Sequence, residues 1–254
     1  YDNQYQGDDT KGAYIWGAQL ELASYPTSYI PTEGSSVTRN QDLCTNGGSL
    51  ASINSTEGTL YFEGSSLSND GTSRSVSIFQ NGSNFIKFQY SSSSNRVDFV
   101  AFSAGAVSCN ITKVITNTTE NAKFGLKWKL NDFALWINGL EVGTDTSGNT
   151  PIGMDKISFT NEGGSSGNFF GKTKALAVWK TALSDQELAD LTYPTPTFPT
   201  FTLDFNTIAE QFTFARGSEA TYVDAQGLIQ STASNNAPRL DYSTGAEAFL
   251  LEPQ

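Results

Sequence analysis

Residues 123–144 read KFGLKWKLNDFALWINGLEVGT, and the period of this stretch decides the fold. Phe124, Leu126, Trp128 and Leu130 fall on one side of a two-residue repeat. Gly125, Lys127 and Lys129 fall on the other, which is the pattern of a half-buried β-strand. Asn131-Asp132 supplies turn chemistry. The next run places Phe133, Leu135 and Ile137 on one face and Trp136 on the other. It closes on Asn138-Gly139, a dipeptide suited to a tight hairpin.

The same alternation recurs on both sides. TLYFEG (59–64), SVSIFQ (75–80), FIKFQY (85–90) and VDFVAF (97–102) are strand-length runs separated by Asn, Gly and Ser clusters. Asn81-Gly82 between two apolar runs predicts a hairpin. KISFTNEGGSSGNFFGKTKALAVWK (156–180) predicts a strand, a Gly/Ser loop and a last strand ending near Trp179. One helix is expected, opened by a capping box at Ser184-Asp185-Gln186-Glu187, with Leu183 and Leu188 as a hydrophobic staple and Pro194 as its stop. Short strands at this spacing predict an all-β sandwich or jelly roll.

Three regions are expected. Residues 1–38 carry YIWGAQLEL (14–22), which reads as a strand closing into the exit ASYPTSYIPT. Residues 39–193 read as a self-consistent domain. Residues 194–254 open on a Pro-rich linker and continue in β-like segments. The first ten residues are polar and do not begin with Met, so the chain reads as part of something longer. YIWGAQLEL then belongs to a sandwich begun before Tyr1, or finds its partners in residues 197–254.

Composition removes several classes of function. The net charge is −11, with no basic stripe to displace counterions, which argues against a nucleic-acid partner. There is no His, and with it go the commonest general base, the His-dependent triads and the commonest zinc ligand. No apolar run reaches the length of a membrane-spanning helix. Cys44 and Cys109 are read either as one disulfide or as two small buried hydrophobes.

The order GTLYFEG, NFIKFQYSSSSNRVDF, KFGLKWKLNDFALWINGLEVGT and KALAVWKTALSDQELADL resembles a laminin-G-like, concanavalin A-like jelly-roll domain over roughly residues 39–193. The flanks resemble bacteriophage tail fibre and tail proteins. YIWGAQLELASYPTSYIPTEGSSVTR looks like the last strand and exit of a carbohydrate-binding-module-like sandwich, and FTFARGSEATYVDAQGLIQSTASNNAPRLDYSTGAEAFLLEP like the segment that precedes such a module. This resemblance implies a structural virion protein of the tail or another surface appendage, extracellular and homotrimeric. Its expected partners are other virion proteins and host-surface glycan. A secreted bacterial lectin or adhesin module and a capsid decoration or head-fibre protein are the alternatives.

Candidate sites follow from residue types. Trp136 opposes the apolar face of its own strand, which makes it the best candidate for an exposed ring; where both faces of the sheet are covered it is core instead. A flat ring there, with Asn138 and Asp132 nearby, would stack on a sugar and hydrogen-bond its hydroxyls. A glycosidase of this fold would need paired carboxylates about 5–5.5 Å apart on one strand. Glu21, Glu63 and Glu141 are single, so no enzyme and no catalytic residue is expected. No cofactor is expected. Calcium would draw on Asp145, Asn149, Asn161, Glu162 and Asn168, which are equally ordinary turn residues. The sequons at Asn54, Asn81, Asn110 and Asn117 carry no argument in so Asn/Ser/Thr-rich a chain.

Overall fold

The computed structural model describes residues 10, 12, 14–194, 213–215, 221–231, 240–241 and 248–251. Along the chain the elements are β1 (Leu43–Thr45), β2 (Glu57–Ser66), β3 (Arg74–Asn81), β4 (Asn84–Tyr90), β5 (Arg96–Ser103), β6 (Ala106–Val114), β7 (Ala122–Lys129), β8 (Phe133–Ile137), β9 (Leu140–Asp145), β10 (Lys156–Ser158), β11 (Gly171–Trp179), α1 (Asp185–Thr192), β12 (Thr213–Ala215), β13 (Thr221–Val223), β14 (Ile229–Ser231), β15 (Leu240–Asp241) and β16 (Ala248–Leu251).

Two antiparallel sheets face each other across one core. The first has the order β10-β3-β4-β5-β6, the second β15-β16-β11-β2-β7-β8-β9. Alternate residues of each strand meet in the middle: Val76, Ile78, Ile86, Phe88, Val97 and Phe99 from the first sheet, and Leu60, Phe62, Phe124, Leu126, Trp128 and Leu135 from the second. Phe88 lies 5.1 Å from Phe62 and 4.5 Å from Phe124, centroid to centroid. These tilted contacts join the sheets at the spacing aromatic pairs prefer.

Local chemistry explains the turns. Asn138 and Gly139 have φ of 50° and 85°, the two left-handed residues that a tight primed hairpin turn needs. Asn131 (φ 55°) turns β7 into β8, and this leaves Leu130, expected on the core face, exposed at the turn. Between β3 and β4 the tip is Gly82-Ser83, and Asn81 Oδ1 accepts from the Ser83 amide at 2.9 Å. The capping box is present: Ser184 accepts from the Glu187 amide, and Glu187 accepts from the Ser184 amide at 2.8 Å.

The expected regions meet the structure unevenly. YIWGAQLEL is not a strand; residues 14–22 join no ladder among the described residues. A strand needs a neighbour for its amides, none of the described residues supplies one, and Gly17 at φ 70° breaks its extension. The expected boundary at residue 194 does not divide the sheets. β12 pairs with β1, Cys44 opposite Phe214, and β16 pairs with β11, Thr173 opposite Phe249. The PTPTFPTF stretch (194–201) lies outside the described residues, apart from Pro194. Cys44 and Cys109 are both free and buried. Burial pushes the Cys44 thiol up; burial and then Asp145 push Cys109 up to about 12. No helix among the described residues is long and apolar enough to cross a membrane.

Candidate functional site

A ligand can reach a sandwich on its two outer faces, and helix α1 covers part of one. Leu188 and Leu183 pack over Trp136 and Ala134 of β8, and Thr192 Oγ1 accepts from the Gly139 amide at 3.0 Å. Trp136 is therefore 8% exposed, beneath the helix, and not the exposed ring its alternation suggested. The helix lies about fifty residues further along the chain, so the local period could not report it. Asn138 serves its hairpin, its Oδ1 accepting from the Lys123 amide at 2.9 Å. Asp132 sits 2.9 Å from Lys127 Nζ, which also reaches Asp185 at 3.1 Å. Burial lowers the Lys127 pKa, but the two carboxylates outweigh it and hold the ammonium charged. Asp132 and Asn138 stand at opposite ends of β8, on the order of 20 Å apart by strand rise. The three residues form no common site.

The outer face of the five-stranded sheet is different. Strand register places its side chains in three rows. One row runs Ser75, Gln89, Asp98, Thr112; the next runs Ser158, Ser77, Lys87, Val100, Asn110; the third runs Lys156, Phe79, Phe85, Phe102, Val107. Residues 160–168 fold over the β3 side of this face. Ser77 Oγ donates to the Thr160 carbonyl at 2.8 Å and accepts from the Glu162 amide at 3.1 Å. A Cβ on Gly163 would come within 2.4 Å of the Phe79 ring, so only glycine lets the loop lie so close.

What remains uncovered is a shelf over β4, β5 and β6, walled on one side by that loop. Asp98, on the middle strand β5, is 2% exposed, with Oδ2 accepting from Gln89 Nε2 at 2.8 Å and Oδ1 from Arg96 Nε at 2.9 Å. Arg96 Nη2 adds a third bond at 3.1 Å. Lys87 Nζ is held by Asn161 Oδ1 at 2.6 Å and Glu162 Oε1 at 3.2 Å, above the Phe85 ring. Phe85 stacks on Phe102 with centroids 4.7 Å apart. The shelf thus carries two cations and two anions, side-chain amides and hydroxyls, and an apolar strip at Val100 and Phe102. Such a balanced surface suits a neutral, hydroxyl-rich ligand, despite the acidity of the whole chain. The sequence could not show it, because the rows exist only once the strands are in register.

The residues offered for calcium are otherwise engaged. Asn161 and Glu162 hold the Lys87 ammonium where a cation would sit, and Asn168 Nδ2 donates to Gln41 at 2.8 Å. Asp145 caps the Ser147 amide, and the Asn149 carbonyl accepts from Ser108. No group of three or more His, Cys, Asp or Glu among the described residues could hold a metal ion. A groove of about 680 Å³ lies apart from the shelf, lined by Leu20, Glu21, Leu22, Ile30, Val37 and Arg39 of the N-terminal arm. None of the residues that line it belongs to a sheet.

No protein-family profile and no curated protein matches the chain. Solved structures do. A native heptameric SAP-like pentraxin from Limulus polyphemus is similar at 12% identity, covering 83% of this chain and 95% of the pentraxin, with a TM-score of 0.50. The Ruminococcus gnavus IT-sialidase CBM40, solved bound to α2,3-sialyllactose, matches at 16% identity over 62% of this chain and all of the module, with a TM-score of 0.48. The receptor-binding domain of botulinum neurotoxin type G matches at 10% identity over 86% of this chain and 79% of that domain, with a TM-score of 0.45. The chain is a concanavalin A-like, laminin-G-like jelly-roll β-sandwich. At these identities the likeness is one of fold.

Proposed function

We propose that this chain is a non-catalytic glycan-binding module, displayed in several copies on a bacteriophage tail fibre or other virion appendage for recognition of the host surface. The observation that carries the glycan reading is the shelf over β4–β6, with Lys87, Gln89, Arg96, Asn110 and Thr112 around an apolar strip. A shallow shelf gives weak single contacts, and repetition on one particle raises avidity through effective concentration. Its two carboxylates speak for binding over hydrolysis, because Asp98 already accepts three hydrogen bonds and Glu162 is paired with Lys87. The virion setting rests on the resemblance of both flanks to phage tail proteins.

A glycan array followed by calorimetric titration tests the reading. Lys87→Ala and Gln89→Ala are each expected to weaken binding about tenfold, near 1.4 kcal/mol. Trp136→Phe is expected to leave it unchanged. Binding that survives both shelf substitutions, or that depends on Trp136, refutes the assignment. The virion setting is tested separately, by mass spectrometry of purified particles from the source phage. Absence of the chain from them, or its recovery as a secreted bacterial protein, overturns it.

A further inference from the structure

On the outer face of the five-stranded sheet an amine, a carboxamide and a carboxylate meet at one point. Lys87 Nζ lies 2.6 Å from Asn161 Oδ1 and 3.2 Å from Glu162 Oε1. An ion pair alone does not explain the order of these distances. A carboxylate draws an ammonium to about 2.7–2.9 Å, closer than a neutral amide does. Here the neutral amide is the nearer partner. A donor 2.6 Å from an amide oxygen, at an ordinary hydrogen-bond angle, stands about 3.4 Å from the amide carbon, inside the near-attack range.

The fold holds the three groups in this arrangement. Ser77 is the direct cross-strand neighbour of Lys87, and its hydroxyl bonds the chain on both sides of Asn161. It donates to the Thr160 carbonyl at 2.8 Å and accepts from the Glu162 amide at 3.1 Å. Asn161 closes its own turn: its amide donates to the Ser166 carbonyl, and its carbonyl accepts from the Gly164 amide, both at 2.9 Å. Consecutive side chains of an extended chain point apart. At Glu162 the backbone leaves the extended region, with φ at 48°, and both side chains reach one amine. The Lys87 ammonium stands 5.3 Å from the centroid of the Phe85 ring, and the Lys87 and Glu162 side chains are 13% and 17% exposed. Little water competes for the protons between them.

We propose that Lys87 and Asn161 join in an intramolecular isopeptide bond, with Glu162 moving the protons. Glu162 Oε1 takes a proton from the Lys87 ammonium, which frees the lone pair that an attacking amine needs. Nζ attacks Asn161 Cγ, and the new Nζ–Cγ bond makes that carbon tetrahedral. Glu162 hands its proton to Nδ2, the Cγ–Nδ2 bond breaks and ammonia leaves. The second proton shed by Nζ passes through Glu162 to that ammonia, so an ammonium ion departs in place of the Lys87 charge. An amine and a primary amide become a secondary amide and ammonia, and the balance needs no oxidant or co-reactant. The groups react once and turn nothing over, so the module stays without enzymatic activity. The ring so closed contains β5 to β10 and fastens residues 160–168, the wall of the shelf, to β4. Once joined, Lys87 presents the shelf with a neutral N–H in place of a charge, and the bond itself needs no glycan.

Intact-mass spectrometry of the denatured 254-residue chain is expected to read about 17 Da below the sequence mass, the loss of one ammonia. Trypsin should then fail to cut after Lys87 and should release residues 75–96 joined to residues 157–172. A cyclised Asn-Gly site, such as Asn81-Gly82, would lose the same mass, but hydroxylamine opens it and leaves an isopeptide bond intact. Lys87→Arg and Asn161→Ala should each restore the sequence mass. Glu162→Gln should slow the bond by at least about a hundredfold, and Glu162→Asp should recover part of the rate. Circular dichroism matching the wild type separates a lost bond from a lost fold. A wild-type chain that keeps its sequence mass on prolonged incubation overturns the inference. So does a mass loss that maps elsewhere, or a Glu162→Gln chain that cross-links at the wild-type rate.

Discussion

Gly58, the second residue of β2, stands directly opposite Trp128 on β7, with the indole ring packed against it. A Cβ at this position would fall 2.2 Å from Trp128 Cζ2 and 2.6 Å from Cη2. The overlap exceeds an ångström, and the ring cannot retreat: Trp128 is 0% exposed and its Nε1 donates to the Asn54 carbonyl at 3.1 Å. Gly58→Ala must either tear that bond or part β2 from β7. Overpacking costs about 1–3 kcal/mol, and a buried donor left unpaired adds about 1 or more, so roughly 3 kcal/mol is expected. Urea titration should show the midpoint falling with an unchanged slope, and the thermal midpoint should drop by about 6–12 °C. The reasoning is sharpened by a cycle with Trp128→Phe, whose smaller ring vacates the space. The double variant should be more stable than the sum of the singles by at least about 1 kcal/mol. Additivity within about 0.5 kcal/mol would refute the steric account.

Other outcomes follow from named groups. The native protein should show no thiol reactive toward an aromatic disulfide reagent and two after denaturation, since Cys44 and Cys109 are free, buried and raised in pKa. Burial raises the Asp70 pKa, but the Ser68 hydroxyl, the Arg74 guanidinium and the Thr72 amide outweigh it and hold the carboxyl well below the usual range. A depressed native value means that this stabilisation is complete above the unfolded value near 4 and is lost as pH falls through the native one. Acid titration from about pH 4 down to 2 should therefore erode stability, and Asp70→Asn should flatten that slope. Trp136→Ala should cost about 3 kcal/mol by emptying the space under α1, measured by denaturant unfolding.

Hairpins and the helix were legible because their determinants are local. Asn138-Gly139 announces its own turn, and Ser184 and Glu187 cap their own helix. Two features stayed open in the sequence for one shared reason. Trp136 alternates with an apolar face, but burial belongs to whatever covers a residue, and α1 comes from far along the chain. YIWGAQLEL has strand composition, and composition does not name the neighbour that a ladder needs. The shelf was invisible for a related reason: Gln89, Asp98 and Thr112 come from three strands, and only the ladder aligns them.

The pairing of β2 has a consequence for how the molecule is made. Phe62 lies between Phe124 and Leu176, about sixty and more than a hundred residues downstream. A ribosome that has finished β2 leaves both of its edges open until these partners emerge. Closure over so long a separation slows folding toward milliseconds to seconds. Meanwhile Leu60, Tyr61 and Phe62, all buried in the finished sheet, stand uncovered on the growing chain. Yield in a heterologous host should then be governed by chaperone capacity and synthesis rate more than by the stability of the completed sandwich.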